Sequence, residues 1–215
     1  MIRTLSATLR SLVMLAPICT GMQRTPVTVT PSSNLQRAID SSPEGTHFLL
    51  GKGVYRGLSV RPRNGNIFTG EDGAVANGSH ILSGFQQEGG VWIADFKVEK
   101  GQRIGLCDNS RPLCTLPEQL FFDGRRLEPV DTRTRLGPGR WMPDYAHGQV
   151  LIADDPSGHT VEISTAFAAF VGTASNVIIS NLTIEKYANP AQHGAIHGKE
   201  GTIGDTKHSV LNLCA

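Results

Sequence analysis

The sequence predicts an all-β fold built from many short strands and turns. Glycine and proline are abundant, with 24 Gly and 12 Pro among 215 residues, and both residue types weaken helix interiors. Short β-like runs separated by Gly, Asn and Pro recur along the chain, and helical periodicity is nearly absent outside one segment. These features exclude a bundle of long helices.

The first 21 residues are predicted to be an export signal. Arg3 and Arg10 provide a basic start, and the apolar run LVMLAPIC begins at Leu12. A bilayer span needs about 20 apolar residues, so this run predicts a signal and no membrane span. A buried N-terminal helix is the alternative. We expect a secreted or periplasmic protein, with a connector over residues 22–33.

One short helix is expected in the segment NLQRAIDSSPEG. Asn34 is a suitable N-cap, and Pro43 ends the segment. Leu35, Ala38 and Ile39 share one helical face, so the helix can cap a core with that face.

Two series of short strands flank a different middle region. The first series contains HFLL, YRGLSV, NIFTG and SHILSG, and the second contains FAAFVG, NVIIS, NLTIEKY and GAIHG. Strands that recur at about 20 residues without hairpin turns fit a parallel coil better than a sandwich. The predicted shared interior consists of Phe48, Leu50, Val60, Ile67, Ile81, Val177, Ile179, Leu182 and Ile184.

The middle region, residues 102–164, is predicted to form an antiparallel insertion. The pair Asp123-Gly124 lies between LFF and RRL and is a strong hairpin signal, and a second hairpin is expected from Trp141 to Ile152. The predicted organisation is a helix cap and first coils (34–101), the insertion (102–164), further coils (165–200) and an atypical tail (201–215).

Cys107 and Cys114 enclose the short polar loop DNSRPL. In an exported protein this spacing predicts a local disulfide, with two free thiols as the alternative. A single C-x6-C pair lacks the second pair that a zinc site needs. We therefore expect no metal here, and no cofactor.

These strings, in their order along the chain, resemble the right-handed parallel β-helix proteins of the pectin-lyase-like superfamily. The chain is most similar to glycan-processing, glycoside hydrolase-like members, in which a "QLFVDG…PGEWYLD" type of insertion interrupts the first coils. The matching positions here are Gln119–Gly124 and Pro138–Asp144. The resemblance runs from Phe48 to Gly198, and it implies that the protein binds or cleaves a polysaccharide or oligosaccharide along the groove of a β-helix.

The family pattern departs from this sequence at the C-terminal end. In such proteins the helix continues for many more coils, and the catalytic carboxylates usually lie on those later coils. The tail TIGDTKHSVLNLCA does not continue an obvious coil. The chain is therefore expected to be a C-terminally shortened member with an incomplete active site.

The acids of the second half supply the catalytic candidates. Glycoside hydrolysis requires two carboxyl groups that flank the bond, and Glu185 and Asp144 are the candidates chosen from a set that also includes Asp154, Asp155 and Glu162. A solvated position is the alternative for Glu185, and a turn-forming role is the alternative for Asp144.

Candidate sugar contacts cluster on the last recognisable coil. His193 and His197 in QHGAIHG have a spacing that places both on one face of a strand, and Tyr187 lies nearby in the sequence. A metal pair and a purely structural pair are the alternatives for the histidines. Polysaccharide lyases of similar fold use Ca²⁺ with clustered Asp residues, and no compact acidic cluster is present here.

The charge balance restricts the class of partner. With 20 Lys+Arg against 19 Asp+Glu the formal net charge is +1, which argues against capture of nucleic acid or of an anionic membrane. The leading interpretation is a monomeric, exported, carbohydrate-active β-helix protein, a glycosidase or lyase if it is active. The alternative is a non-catalytic glycan-binding or surface-adhesion protein, and a third is a non-functional remnant of a longer enzyme.

Overall fold

A computed structural model describes residues 25–96 and 100–198 of the chain. The predicted export signal at residues 1–21 and the predicted tail at residues 201–215 lie outside the described residues.

The described residues form short strands, one α-helix and one 3-10 turn (Arg133–Arg135). In chain order the strands and the helix are β1 (Val27–Val29), α1 (Leu35–Ser41), β2 (His47–Leu50), β3 (Gly53–Arg56), β4 (Ile67–Gly70), β5 (Ala74–Asn77), β6 (Ser79–Ile81), β7 (Gln86–Glu88), β8 (Val91–Asp95), β9 (Gln119–Phe122), β10 (Arg125–Arg126), β11 (Glu128–Pro129), β12 (Arg140–Asp144), β13 (Gln149–Ile152), β14 (Val161–Ser164), β15 (Phe170–Gly172), β16 (Ile178–Ser180), β17 (Thr183–Glu185) and β18 (Ile196–Gly198). The fold is therefore mostly β, as the sequence predicts.

The helix α1 is present where the sequence predicts it. The side-chain oxygen of Asn34 accepts a hydrogen bond from the Arg37 backbone N–H at 2.9 Å, which satisfies one of the free donors at the helix start. Leu35 and Ile39, one turn apart, are buried. The helix thus covers the parallel strands with one apolar face.

Three of the sheets are parallel, and each is built from strands that are distant in sequence. Their strand orders are β1-β2-β4-β16, β3-β5-β17 and β15-β18. Within the first sheet Phe48 pairs with Phe68, and Phe68 pairs with Ile179. The neighbouring strands β4 and β16 are far apart in sequence because the antiparallel strands lie between them in the chain. Thr69 and Ser180, for example, are 111 residues apart and are in hydrogen-bond contact.

The predicted interior is correct at seven of nine positions and wrong at two. The seven residues Phe48, Leu50, Val60, Val177, Ile179, Leu182 and Ile184 are buried in one apolar cluster. Ile67 instead lies on the outer face of β4 beside His47, and Phe68 points inward and stacks on Phe48 at 5.3 Å. Adjacent strand residues face opposite sides, so Phe68 faces the interior and the prediction for Ile67 is wrong.

Ile81 is the second correction. It is 54% exposed on β6 and pairs with Glu162 of β14 in an antiparallel sheet. The antiparallel pairing therefore starts at β6, before residue 102, where the sequence places the insertion. Ile81 is excluded from the parallel interior because its strand belongs to the other part of the fold.

Two further sheets, one antiparallel and one mixed, form the second part of the fold. Their strand orders are β10-β9-β14-β6 and β11-β12-β13-β8-β7. Both predicted hairpins are present: β9 pairs antiparallel with β10 across Asp123 and Gly124, and β12 pairs antiparallel with β13. Asp123 and Gly124 both have positive φ, at 48° and 77°, as a tight two-residue hairpin requires. From here on, the insertion means these two sheets and their connections, which include β6, β7 and β8 in addition to strands of the predicted residues 102–164.

The insertion has a core of its own. Trp141 is fully buried and lies in an apolar cluster with Leu120, Val150, Ile152 and Ile163. This cluster is separate from that of the parallel sheets. Within residues 25–96 and 100–198, no helix is long and apolar enough to cross a membrane.

Candidate functional site

The parallel strands meet the insertion at a buried polar cluster around Glu162. Glu162, on β14, is only 3% exposed. Its carboxylate accepts hydrogen bonds from Arg56, at the end of β3, from Lys186, directly after β17, and from the Ser79 hydroxyl at 2.9 Å. One carboxylate therefore joins strands of both parts of the fold.

The strand ends of the second parallel sheet bring these groups together. Arg56 pairs with Asn77, and Asn77 pairs with Glu185 in the strand register. The Asn77 amide donates to the Glu185 carboxylate at 2.9 Å, and its oxygen accepts from the Ser79 backbone N–H at 2.8 Å. In parallel strands equivalent ends align, so a row of polar side chains forms at this edge.

Opposing effects act on the pKa of Glu162. Burial favours the neutral acid, but hydrogen bonds from Lys186, Arg56 and Ser79 outweigh it and hold the pKa of Glu162 below its ordinary value. Glu162 is thus an ionised, enclosed carboxylate. It can neutralise the two cations, but it is not suited to donate a proton to a substrate.

The two catalytic candidates from the sequence lie in different sheets. Glu185 ends β17 and is half-buried next to the Glu162 cluster. Asp144 ends β12 and accepts hydrogen bonds from the backbone N–H groups of Ala146 and His147, both at 3.1 Å. The His147 side chain and these N–H groups lower the pKa of Asp144. No hydrogen bond joins the two carboxylates within the described part of the chain, and Asp144 organises a turn.

The two candidate histidines are brought together. The Nδ1 atoms of His193 and His197 are 3.4 Å apart, and both rings contact Phe167, with ring centroids 5.6 and 5.3 Å away. All three side chains are half-buried. The pair offers two imidazoles at one place on β18 and the turn before it.

Tyr187 lies in the core of the parallel strands, apart from any open surface. It is 5% exposed, and its hydroxyl donates to the Leu58 carbonyl at 2.7 Å. Burial, and then the nearby Glu185 carboxylate, raise the pKa of Tyr187. Its ring also closes tightly on Gly78. The Tyr187 side chain is therefore packed in the core, where it does not reach a surface at which a sugar could bind.

A cavity of about 530 Å³ opens in the insertion. Its walls come from the loop around Ser110 to Cys114, from the segment that leads into β9, and from β11 and the start of β12. Volumes between about 300 and 1,000 Å³ are typical of small-molecule sites. The cavity is therefore large enough for a small molecule.

Glu118 lines the cavity and is hydrogen-bonded within the chain. It is buried, accepts a hydrogen bond from the Tyr145 hydroxyl at 3.2 Å, and accepts another from the Gly101 backbone N–H. Burial, and then the Glu118 charge, raise the pKa of Tyr145 to about 12. Tyr145 is thus a hydrogen-bond donor at neutral pH. Trp141 also lines the cavity, and its indole N–H has no hydrogen-bond partner among the described residues.

The loop on one side of the cavity is closed by two cysteines. Cys107 and Cys114 are bonded through their sulfurs, with Cα atoms 5.6 Å apart, a separation that suits a disulfide. Among residues 25–96 and 100–198, no three His, Cys, Asp or Glu side chains are grouped so that they could hold a metal ion.

Neither the Glu162 cluster nor the cavity was predicted from the sequence. A signal for the first was present, because Glu162 stands between apolar residues in the strand VEIS, and a charge in such a strand indicates a buried ion pair. Its partner Arg56 is 106 residues away, so the pairing itself was not predictable from local sequence.

Comparisons with known proteins give a likeness in fold. No protein-family model matches the chain, and no curated protein matches it. Among solved structures it is similar to XylC, determined in complex with xylose, with a TM-score of 0.65 and 15% identity over 85% of this chain and 40% of that chain. A structure described as a glycoside hydrolase has a TM-score of 0.45 and 12% identity, over 76% of this chain and 51% of the other. The chain therefore spans less than half the length of XylC.

Proposed function

We propose that the chain is a carbohydrate-binding β-helix portion of an exported glycan-processing protein. The observation that carries this proposal is the similarity in fold to XylC, which extends over 85% of the chain. XylC was solved with xylose bound, so a saccharide is the first ligand to test here. The match covers 40% of XylC. We therefore propose binding for this chain, and enzyme activity only for a protein with more coils than this chain has.

The strand pairings support the β-helix part of the proposal. The chain returns to the same two parallel sheets in the same order three times. It adds β2 and β3, then β4 and β5, then β16 and β17, with the first strand of each pair in one sheet and the second in the other. A third parallel position is occupied by Val60, by β15 and by β18. Visiting three sheets in a fixed order is what a coil of the solenoid type is expected to do, and it supports this part of the proposal.

Binding is better supported than catalysis by the described residues. Glycosidic cleavage needs a pair of carboxyl groups on either side of the bond. Glu185 and Asp144 belong to different sheets, and Glu162 is enclosed and ion-paired. The cavity in the insertion, by contrast, is open and lined by polar groups.

A non-catalytic glycan-binding or adhesion protein is the second candidate. The observation that favours it is that Asp144 and Glu162 each accept several hydrogen bonds within the chain. Carboxylates so engaged hold structure together. Both candidates predict that this chain binds a glycan, and they differ in whether that binding serves a glycan-processing reaction.

The test is a binding and turnover assay on the purified full chain. Binding to xylo-oligosaccharides and to a panel of plant and bacterial polysaccharides would be measured by calorimetry and affinity electrophoresis, and reducing ends and unsaturated products would be measured in parallel. We expect binding without turnover. Turnover that disappears in Glu185→Ala or Asp144→Ala would establish catalysis by this chain, and failure to bind any glycan would overturn the proposal.

A further inference from the structure

The cavity in the insertion has an excess of positive charge. The chain as a whole carries a formal net charge of only +1. The charged residues that line the cavity are Arg111, Arg126, Arg135, Arg140, Glu118 and Glu128. Four guanidinium groups against two carboxylates create a local field that attracts an anion.

Two of these arginines already have carboxylate partners. Arg140 lies 3.3 Å from Glu128, and Arg135 lies 3.3 Å from Asp131. Arg111 and Arg126 are exposed, and neither has an ion-pair partner within 4.0 Å in the part of the chain that the structure describes. Neither guanidinium is therefore held in an ion pair there, and the Arg111 charge acts on the Asp108 carboxyl only by helping to lower its pKa.

We propose that this cavity binds a saccharide that carries a carboxylate, a uronic acid unit, and that Arg111 and Arg126 hold that carboxylate. The inference rests on the proposed function, because it assumes that the ligand is a sugar. Arginine suits this role because its planar fork of N–H donors matches the two oxygens of a carboxylate.

The remaining walls fit a sugar ring better than a free inorganic anion. Leu113 and Pro129 line the cavity and are partly exposed, so they offer apolar surface to the C–H groups of a pyranose. Ser110 and Gln119 also line it, and a hydroxyl and a side-chain amide can exchange hydrogen bonds with the hydroxyls of a sugar. About 530 Å³ leaves room for more than a lone anion.

The Cys107–Cys114 bridge holds one of the two proposed arginines in place. Arg111 lies inside the loop that the bridge closes, and its backbone N–H donates to the Asp108 carboxylate at 3.0 Å. Because the loop is short and its two ends are joined by the disulfide, the backbone at Arg111 has little conformational freedom. Less ordering is then needed on binding, which favours affinity.

The experiment compares charged and neutral forms of one sugar chain. Calorimetry on the full chain would use oligogalacturonate, its methyl ester, oligoglucuronate, xylotetraose and inorganic sulfate. We expect at least one of the two uronates to bind, with about tenfold or greater loss of affinity in Arg111→Gln and in Arg126→Gln, the range for losing a charged hydrogen bond. Arg126→Lys should recover part of the loss. Arg37→Gln on α1, an exposed arginine outside the cavity, should leave affinity unchanged.

Each outcome decides between the two proposals. Equal affinity for the methyl ester or for xylotetraose, unaffected by the arginine variants, overturns the uronate inference and leaves carbohydrate binding intact. Sulfate that binds as tightly as the uronates identifies a simple anion site and also overturns it. If no sugar binds at all, both proposals fail. Circular dichroism of each variant checks that a loss of affinity is not a loss of fold.

Discussion

Lys186, directly after β17, and Glu162, on β14, form an ion pair that links the parallel strands to the insertion. Lys186 adopts a left-handed backbone conformation, with φ of 56°, which is uncommon outside glycine, asparagine and aspartate. The Lys186 side chain also lies over the Phe121 ring, 5.1 Å from its centroid. The ammonium group is therefore held from two sides, and its position follows from contacts that are remote in sequence.

Glu162→Gln should destabilise the protein strongly. The change leaves Lys186 and Arg56 without their shared carboxylate in a mostly buried place, and removing one member of a buried pair costs about 3–5 kcal/mol. Urea denaturation would measure the free energy of unfolding. Glu128→Gln is the matched control: it breaks an exposed pair with Arg140, and such pairs contribute about 0–1 kcal/mol. Equal effects of the two substitutions would contradict the role of Glu162.

The effect of Glu162 should depend on pH in a defined direction. The pKa of this carboxyl is lowered in the folded protein, so the folded state binds the proton less readily than the unfolded chain does. Its contribution to stability is present above the ordinary glutamate pKa, about 4.3, and is lost as the pH falls through the folded value. The difference in unfolding free energy between the wild type and Glu162→Gln should shrink between about pH 4.3 and lower values. A constant difference across that range would be inconsistent with the ion pair.

Ile179→Ala and Ile178→Ala should have very different effects, although the residues are neighbours on β16. Ile179 is fully buried between the parallel sheets, and Ile178 is 45% exposed on the outer face. Truncation of the buried residue should cost about 2–5 kcal/mol, and that of its neighbour should cost much less. Thermal or urea unfolding of the two variants, side by side, tests the strand orientation.

Gly78→Ala should destabilise the fold, whereas Gly137→Ala should not. A Cβ at Gly78 would lie 2.6 Å from the Tyr187 ring and 2.7 Å from the Lys186 carbonyl oxygen, and at Gly137 it would meet nothing within 4 Å. Neither glycine has a positive φ, so backbone strain does not enter the comparison. We expect a loss of about 1–3 kcal/mol at Gly78 from overpacking. If both variants unfold at the same urea concentration as the wild type, the close approach of Tyr187 is not present in solution.

Cys107 and Cys114 should be oxidised in exported material. A loop this short should give an entropic stabilisation of roughly 2–3 kcal/mol. Thiol titration of denatured protein before and after reduction should show two additional thiols after reduction. Cys107→Ser with Cys114→Ser should lower the unfolding midpoint and remove that difference. Identical titres before and after reduction would rule out the bridge.

Local sequence determined the short elements of this protein. Asn34 capped the helix where expected, because an N-cap acts on N–H groups two or three residues away. Asp123-Gly124 formed the predicted hairpin, because its backbone preference is local. Each of these depends on residues that are close together in the chain, and so their patterns are visible in the sequence alone.

Tertiary structure decided the rest, because the deciding contacts are long-range. In NIFTG both Ile67 and Phe68 are apolar, and only the register with Phe48 on β2 turned Phe68 inward. The Glu162 cluster requires Arg56 and Ser79, which lie 106 and 83 residues away. The cavity draws on segments from Ser110 to Trp141 that carry no common motif. A sequence pattern can show that one face of a strand is apolar. Which strands become its neighbours, and hence which site they form, depends on how segments that are distant in sequence bury their apolar surface together.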